Sequence, residues 1–591
     1  MKTEADHDQL LVGIGVSSGI AIGRALLLHR STDVSPERSI ATDEVAAEVE
    51  SLRDAVARSR QQLEAVRRQA EEHTTPEPCL IIDAHLLILD DVMLVSEAIA
   101  LIEKEFIDAE TALRRTLLRI RHLFEAIEDE YLRERRSDVE FVGQRILRNL
   151  IGYNEHLLED LTEQVILVAH DLSPADTLQL DRTKILAFIT DAGGRTSHTA
   201  ILARSLGIPA IVGLESVTQL VSQGLPLIVD GATGVVVLHP SAESFRDYLQ
   251  RKQQYQFAEQ ELKLLCDLPA ETADGYELAL RANLDVPADI PHALSHGANG
   301  VGLMRTEFLF MNRSVAPTED EQFQIYKMMV EEMFPAAVMI RTLDVGGDKL
   351  VDHISLDEEA NPALGLRAIR FSLKEEVLFR TQIRAILRAS HYGKVRIAFP
   401  MISGIEELRA CRVHLRSVMQ ELSEGQIPFD AELEVGIIVE TPSAALLAEL
   451  LAREVDFFSV GTNDLIQYCL AADRGNEHLA YLYDPLHPAI LRALQLVSRA
   501  GKDAGIAIGM CGEMASEPLY ITVLVALGFT ELSMNAGDIL RMKRALRAIR
   551  KDDSDALLSQ LISLPTGAEV RRHLEAEMQT SFPDLFPAPE I

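Results

Sequence analysis

The stretch Asp191-Ala-Gly-Gly-Arg-Thr-Ser-His198-Thr-Ala-Ile-Leu-Ala-Arg204 has the residue types of a phosphate-binding turn built around one nucleophile. Gly193 and Gly194 permit a turn without a Cβ penalty, and Thr196 and Ser197 are good N-cap residues, so His198 is expected at a helix N-terminus. Backbone N–H groups and the helix dipole favour an anion there, and Arg195 and Arg204 add charged donors. A histidine in that setting can take up and carry a phosphoryl group. Taken alone, the same residues also suit a capped turn whose imidazole merely satisfies a backbone carbonyl.

A second set lies in the C-terminal half and breaks the tie. Arg305, Arg341, Arg367, Glu440, Asn463, Asp464 and Cys511 each fall at or just after a short apolar run. Arginines converging on one place call for a ligand bearing phosphate and carboxylate groups. Glu440 and Asp464 are hard oxygen ligands suited to Mg²⁺, which keeps several waters and completes its shell from the substrate. Cys511, in Gly509-Met-Cys-Gly-Glu513, is either an apolar filler or an acid, since a thiol of ordinary pKa near 8.5 stays mostly protonated at pH 7. Ion pairs between loops would explain any one of these residues, but not their recurrence at successive strand ends.

The elements that must position them follow from periodicity. Residues 10–29 alternate as short strands around glycines, and from about residue 42 the period becomes helical. Segments 42–66, 80–104, 111–133 and 139–150 form a helical insertion. Short β-rich runs at 164–169, 184–189, 210–212, 227–229 and 235–238 then make an α/β unit that carries the His198 loop. Residues 241–265 read as one charged helix between units, ending at Pro269.

Beyond it, eight strand candidates alternate with helical patterns: 277–284, 300–304, 338–343, 364–368, 395–399, 434–439, 457–460 and 507–510. That order predicts a parallel (β/α)8 barrel with its chemistry at the C-terminal strand ends. By this count Arg367 lies in the fourth strand, Glu440 closes the sixth, Asn463 and Asp464 follow the seventh, and Cys511 closes the eighth. The run 532–534 is strand-like but stands outside the eight.

Composition bounds what the chain can be. With 591 residues, 47% hydrophobic and 25% charged, it is long enough for three or four packed units and too apolar to be largely disordered. The net charge of −34 disfavours nucleic acid and anionic membrane surfaces, and the sequence shows neither a signal peptide nor a run long enough to span a bilayer. Five scattered cysteines without CxxC spacing indicate neither disulfides nor zinc, and the expected compartment is the cytoplasm.

The His198 loop, Leu303-Met-Arg-Thr-Glu-Phe-Leu-Phe310, Arg341-Thr-Leu-Asp-Val-Gly-Gly-Asp-Lys349, Val439-Glu-Thr-Pro442, Gly461-Thr-Asn-Asp-Leu465, Asp473-Arg-Gly475 and Met510-Cys-Gly-Glu513 together resemble enzyme I of the phosphoenolpyruvate-dependent phosphotransferase system. The resemblance runs nearly end to end. It implies a multidomain α/β protein: a swivelling phosphohistidine domain (residues 1–40 and 151–240), an inserted helical bundle that docks the carrier protein HPr (41–150), a linker helix (241–269), and a (β/α)8 domain for phosphoenolpyruvate binding and homodimerisation (270–591).

By that resemblance, phosphoenolpyruvate phosphorylates Nε2 of His198, the group passes to a histidine of HPr, and pyruvate is released as the first step of sugar uptake. Arg305, Arg341 and Arg474 then match substrate ligands, with Asn463 also in contact and Arg367 as a further phosphate contact. Glu440 and Asp464 match the Mg²⁺ ligands, and Cys511 the proton donor to the pyruvate enolate. Thr177 matches a hydroxyl that hydrogen-bonds the resting histidine, and Gly194, Arg195 and Thr196 support the loop. His198 must attack as neutral imidazole, the majority form at pH 7 for a pKa of about 6.5.

One stretch departs from the family pattern: Asn535 stands where a serine is usual, and Gly537-Asp538 where an Ile-Ser-like pair is usual. A dikinase of the pyruvate phosphate type shares the histidine domain and barrel but needs a nucleotide-binding module, for which there is neither a P-loop nor spare length. A non-catalytic relative would have lost His198, Glu440, Asp464 or Cys511, and all four are present.

Overall fold

A computed structural model describes residues 8–28, 37–73, 85–86, 88–89, 92–125, 130–151, 163–172, 184–193, 203, 207–310, 315–346, 361–474, 477–583 and 585–586. The chain divides into two compact units, Met1–Glu259 and Gln260–Ile591.

The first unit contains an eight-stranded sheet in the order β1-β8-β7-β3-β4-β5-β6-β2. Its strands are β1 (Gln9–Val12), β2 (Ile14–Ser17), β3 (Ile20–Leu27), β4 (Val165–Ala169), β5 (Ile185–Thr190), β6 (Ala210–Val212), β7 (Pro226–Asp230) and β8 (Val235–Leu238). The runs from β3 through β6 pair in parallel. Antiparallel strands flank this run, β7, β8 and β1 on the β3 side and β2 on the β6 side, so that β1 and β2 are the edges. Continuous apolar strands such as Val165–Ala169 suit a sheet covered on both faces, and separate clusters pack around Ile166, Ile189 and Val229 and around Leu167, Phe188 and Ala203.

Between β3 and β4 the chain leaves the sheet for four described helices: α1 (Val45–His73), α2 (Val92–Glu105), α3 (Ala109–Glu125) and α4 (Glu130–Ile151). Leu52, Leu63, Ala98, Ile102, Leu113 and Ile146 give this insertion its own core. Asn149 of α4 locks onto α1 by donating to Ser59 Oγ at 2.9 Å and Gln62 Oε1 at 2.8 Å. A short helix, α5 (Val217–Leu220), follows β6, and the charged helix α6 (Ala242–Lys263) leads out of the sheet unit.

In the second unit eight parallel strands close into a barrel: β9 (Ala279–Leu284), β10 (Val301–Met304), β11 (Val338–Arg341), β12 (Val395–Phe399), β13 (Glu434–Val439), β14 (Phe457–Val460), β15 (Ala507–Met510) and β16 (Glu531–Met534). The number matches the expectation, but one member differs. Residues 364–368 are not a strand; they join a 3-10 turn, Pro362–Leu364, to the helix Ala368–Lys374.

The eighth strand is instead Glu531–Met534, which pairs β15 on one side and β9 on the other. A barrel strand must be buried on both faces, whereas Leu364 is 64% exposed and Gly365 interrupts the run. Glu440 therefore follows the fifth strand, Asn463 and Asp464 the sixth, and Cys511 the seventh, while Arg367 is the N-cap of a helix. Within this unit the segment after α6 is held to the barrel by Lys543, whose Nζ donates to the carbonyls of Cys266 (2.8 Å) and Leu268 (3.1 Å). Among the described residues no helix is long and apolar enough to cross a membrane.

Candidate active site

Most of the barrel strands end in, or run directly into, a polar residue that the parallel register delivers to one mouth. Asp285 follows β9 and Arg305 follows β10, and the pairing of Met304 with Leu284 sets them side by side. Arg305 Nε lies 2.6 Å from Asp285 Oδ1, and Nη2 lies 3.0 Å from Oδ2.

Arg341, the last residue of β11, donates to Glu307 Oε1 at 2.6 Å and pairs with Asp344 Oδ2 at 3.1 Å. The fully buried Asp344 also takes two hydrogen bonds from Arg367 Nη2, at 3.0 and 3.2 Å. One carboxylate thus clamps two guanidiniums. Burial works against the charge on both arginines, yet Glu307 and Asp344 at one and Asp344 and Asp464 at the other raise their pKa values above the ordinary arginine range.

A close backbone approach makes this possible. Gly346 has φ of 109°, and a Cβ there would stand 2.6 Å from Leu366 O and 2.7 Å from Arg367 Cα. Only glycine lets the strand-end loop pass the arginine. Arg367 Nη1 then reaches Tyr468 Oη at 3.0 Å and Asp464 Oδ1 at 3.5 Å.

Glu440, next after β13, is buried and accepts the Met401 N–H at 2.6 Å. Met401 holds a left-handed backbone, φ 55°, an uncommon conformation for a non-glycine residue that turns this N–H onto the carboxylate. Burial first, then the carboxylates of Asp464 and Asp344, push the Glu440 carboxyl up to about 8. Asp464 lies in the first turn of the helix Thr462–Leu470, and its Oδ1 is buried without a hydrogen-bond partner.

The two carboxylates repel each other, and Asp464 Oδ1 has a long ion-pair contact with Arg367 but no hydrogen bond; two such hard oxygens are a donor set that a divalent cation takes up. Among the described residues no group of three or more His, Cys, Asp or Glu could hold a metal, so such an ion would draw its remaining ligands from water and substrate. The charge balance points the same way: five carboxylates (Asp285, Glu307, Asp344, Glu440 and Asp464) are paired with or lie beside three guanidiniums.

Asn463 is oriented by Glu513, accepting its N–H at 2.9 Å and donating to Oε1 at 3.2 Å. Tyr483 Oη donates to Asn463 O at 3.1 Å. Its phenol, pushed up to about 12 by burial and then by Glu513, also feels the charges of Arg474 and Asp464, so Arg474 belongs to this neighbourhood. The exposed Arg474 follows the left-handed cap at Ala471, and its backbone N–H is held by Gln467 Oε1 at 3.1 Å.

The Cys511 thiol points at Val460 O, 3.7 Å away, and burial pushes it up to about 11, so it is protonated at neutral pH. Among the partners of these residues, Asp344 stands just after Arg341 at the third strand end, Asp285 just after the first strand, and Glu307 within the Arg305 motif, whereas Tyr468 and Tyr483 carried no such signal.

Thr177, Gly194, Arg195, Thr196, His198 and Arg204 lie outside the described residues. The start of their loop is described. Asp191, buried at the end of β5, accepts the Thr218 N–H at 3.0 Å and contacts His170 Nδ1 at 3.1 Å and the Thr218 hydroxyl. These bonds hold its pKa below the usual value despite burial. Gly193 takes φ of 111°, so the first glycine of the pair does adopt the conformation that favours glycine.

Three family models match the chain, each describing a PEP-utilising enzyme: the N-terminal domain over residues 12–135, the mobile domain over 161–234 and the PEP-binding domain over 259–551. Phosphoenolpyruvate-protein phosphotransferase from Geobacillus stearothermophilus is 44% identical over 96% of this chain and 98% of its own. The enzyme of that name from Bacillus subtilis (strain 168) is 42% identical over 95% and 98%. A solution structure of an Enzyme I protein, 37% identical, aligns with 42% of this chain and 99% of that one at a TM-score of 0.34. The chain belongs to the phosphoenolpyruvate-protein phosphotransferase family.

Proposed function

We propose that the protein transfers the phosphoryl group of phosphoenolpyruvate to Nε2 of His198 and then to a histidine of HPr, releasing pyruvate, as the first step of phosphotransferase-system sugar uptake. The observation that carries this reading is the barrel mouth, where a shared buried carboxylate fixes Arg341 and Arg367 beside Glu440, Asp464 and a protonated Cys511. Arg305, Arg341, Arg367 and Arg474 with Asn463 hold the substrate's phosphate and carboxylate; their charge favours the developing enolate and the moving phosphoryl group.

In the step itself the P–O bond to the enolate breaks and a P–N bond to neutral His198 forms. The enolate carbon then takes its proton from Cys511 Sγ, and the thiolate left behind regains one from solvent. Glu440 and Asp464 would hold Mg²⁺, which supplies charge neutralisation to the phosphoryl oxygens when bound. We assign Thr177, Gly194, Arg195 and Thr196 to support of the His198 loop, residues 41–150 to HPr docking, and 270–591 to a homodimeric barrel domain in a cytoplasmic enzyme.

Incubation with labelled phosphoenolpyruvate and Mg²⁺, with and without HPr, tests the reading. Label should appear on His198 in an acid-labile, base-stable linkage, chase onto HPr, and be absent from His198→Ala. Label retained in that variant would sink the assignment.

A further inference from the structure

We infer that Asp285 sets the affinity of the substrate site by occupying, in the resting barrel, the edge of Arg305 that a substrate anion takes; this rests on the reading that Arg305 binds phosphoenolpyruvate. The pair is fork to fork, with Nε to Oδ1 at 2.6 Å and Nη2 to Oδ2 at 3.0 Å. That is the arrangement a phosphate or carboxylate of the substrate needs on the same guanidinium.

The other arginine pairs at the mouth differ in one respect. The carboxylates on Arg341 and Arg367 are buried, with side-chain exposures of 11% for Glu307 and 0% for Asp344, so opening those pairs would strand a charge away from water. Asp285 and Arg305 are each 46% exposed, so water can solvate both when they part. Asp285 is therefore the displaceable member of the set. Its charge is felt in this corner of the mouth: burial and then Asp285 push the neighbouring Asp289 carboxyl up to about 6.

An incoming phosphoenolpyruvate must compete with this carboxylate for Arg305 and overcome its repulsion, which leaves KM higher than the arginines alone would set. The test is steady-state KM for phosphoenolpyruvate in the full-length protein with Mg²⁺ and saturating HPr. Asp285→Asn, nearly isosteric, should lower KM about fivefold, equivalent to about 1 kcal/mol at 1.4 kcal/mol per decade. The shift in KM should exceed any change in kcat and shrink with added salt, and Asp285→Glu should restore the parental value.

In an Arg305→Gln background, which itself should raise KM strongly, Asp285→Asn should have no further effect. An unchanged or raised KM in Asp285→Asn overturns the inference and makes Asp285 a surface pair or a support for Arg305. If Arg305→Gln leaves KM untouched, the substrate reading of Arg305 fails first, a result distinguishable from the failure of the inference alone.

Discussion

The two ends of the barrel use the same residue types to opposite effect. At the N-terminal end, Arg281 and Arg396 share Glu531 at 2.7–3.0 Å, Arg396 also pairs with Glu434 at 2.8 Å, and its guanidinium stacks 3.8 Å over the Phe457 ring. Two cations meet two anions, and burial draws the Arg281 pKa down despite Glu531. At the mouth the carboxylates outnumber the arginines, the buried Arg341 and Arg367 are pushed up, and Glu440 is driven to about 8. A balanced cluster closes a barrel end, whereas an unbalanced one is suited to further ions. This matches the general division of such barrels into a stability face and a reactive face.

Breaking the mouth should cost activity and leave the fold. Glu440→Gln or Asp464→Asn should slow labelling by phosphoenolpyruvate by about 10³-fold, comparable to losing one charged transition-state contact. Back-transfer from phosphorylated HPr to His198 should be nearly intact, and the melting temperature of metal-free Glu440→Gln close to that of the parent at neutral pH, because burial and the neighbouring carboxylates already hold this carboxyl neutral. Equal loss of both half-reactions would make these carboxylates structural.

Breaking the other end should do the reverse. Glu531→Gln leaves two largely buried guanidiniums short of their shared anion and should cost about 2–4 kcal/mol in denaturant melts, with kcat of the folded fraction retained. A variant of full stability but low kcat would erase the contrast between the two ends.

Cys511→Ala should lower net turnover about ten- to a hundredfold by removing the acid, with phosphoenolpyruvate binding and melting temperature largely kept. Full turnover would return Cys511 to the role of core filler.

The smallest effect is on pH dependence. Glu440 titrates near 8 in the fold against about 4.3 in an unfolded chain, so its stabilising proton is fully present below about pH 4 and lost as pH rises through about 8. Added Mg²⁺ should therefore raise the melting temperature by a few degrees more at pH 8 than at pH 6. A gain independent of pH would place the ion elsewhere.

Periodicity and motif position located much of this molecule before any coordinates, because both are local properties. The alternation in Ile20–Leu27, the helical spacing in Val45–His73 and seven of the eight barrel strands are written in neighbouring residues, and the polar residue that ends a parallel strand must emerge at the mouth. The membership of the eighth strand was not local. Residues 364–368 and Glu531–Met534 are both short and apolar, and only the pairing of Glu531–Met534 with β15 and β9, against the exposure of Leu364, separates them.

The candidate site residues His198, Arg305, Arg341, Glu440, Asp464 and Cys511, and with them the proposed kind of chemistry, were legible in the sequence alone. Tertiary structure decided which charges share a partner. Asp344 bridges arginines at 341 and 367, Asp285 covers Arg305, and Asp464 helps to push up the Glu440 carboxyl across a gap of 24 positions. Such couplings depend on distance and desolvation between residues remote in the chain, which residue type and spacing do not encode until the barrel closes.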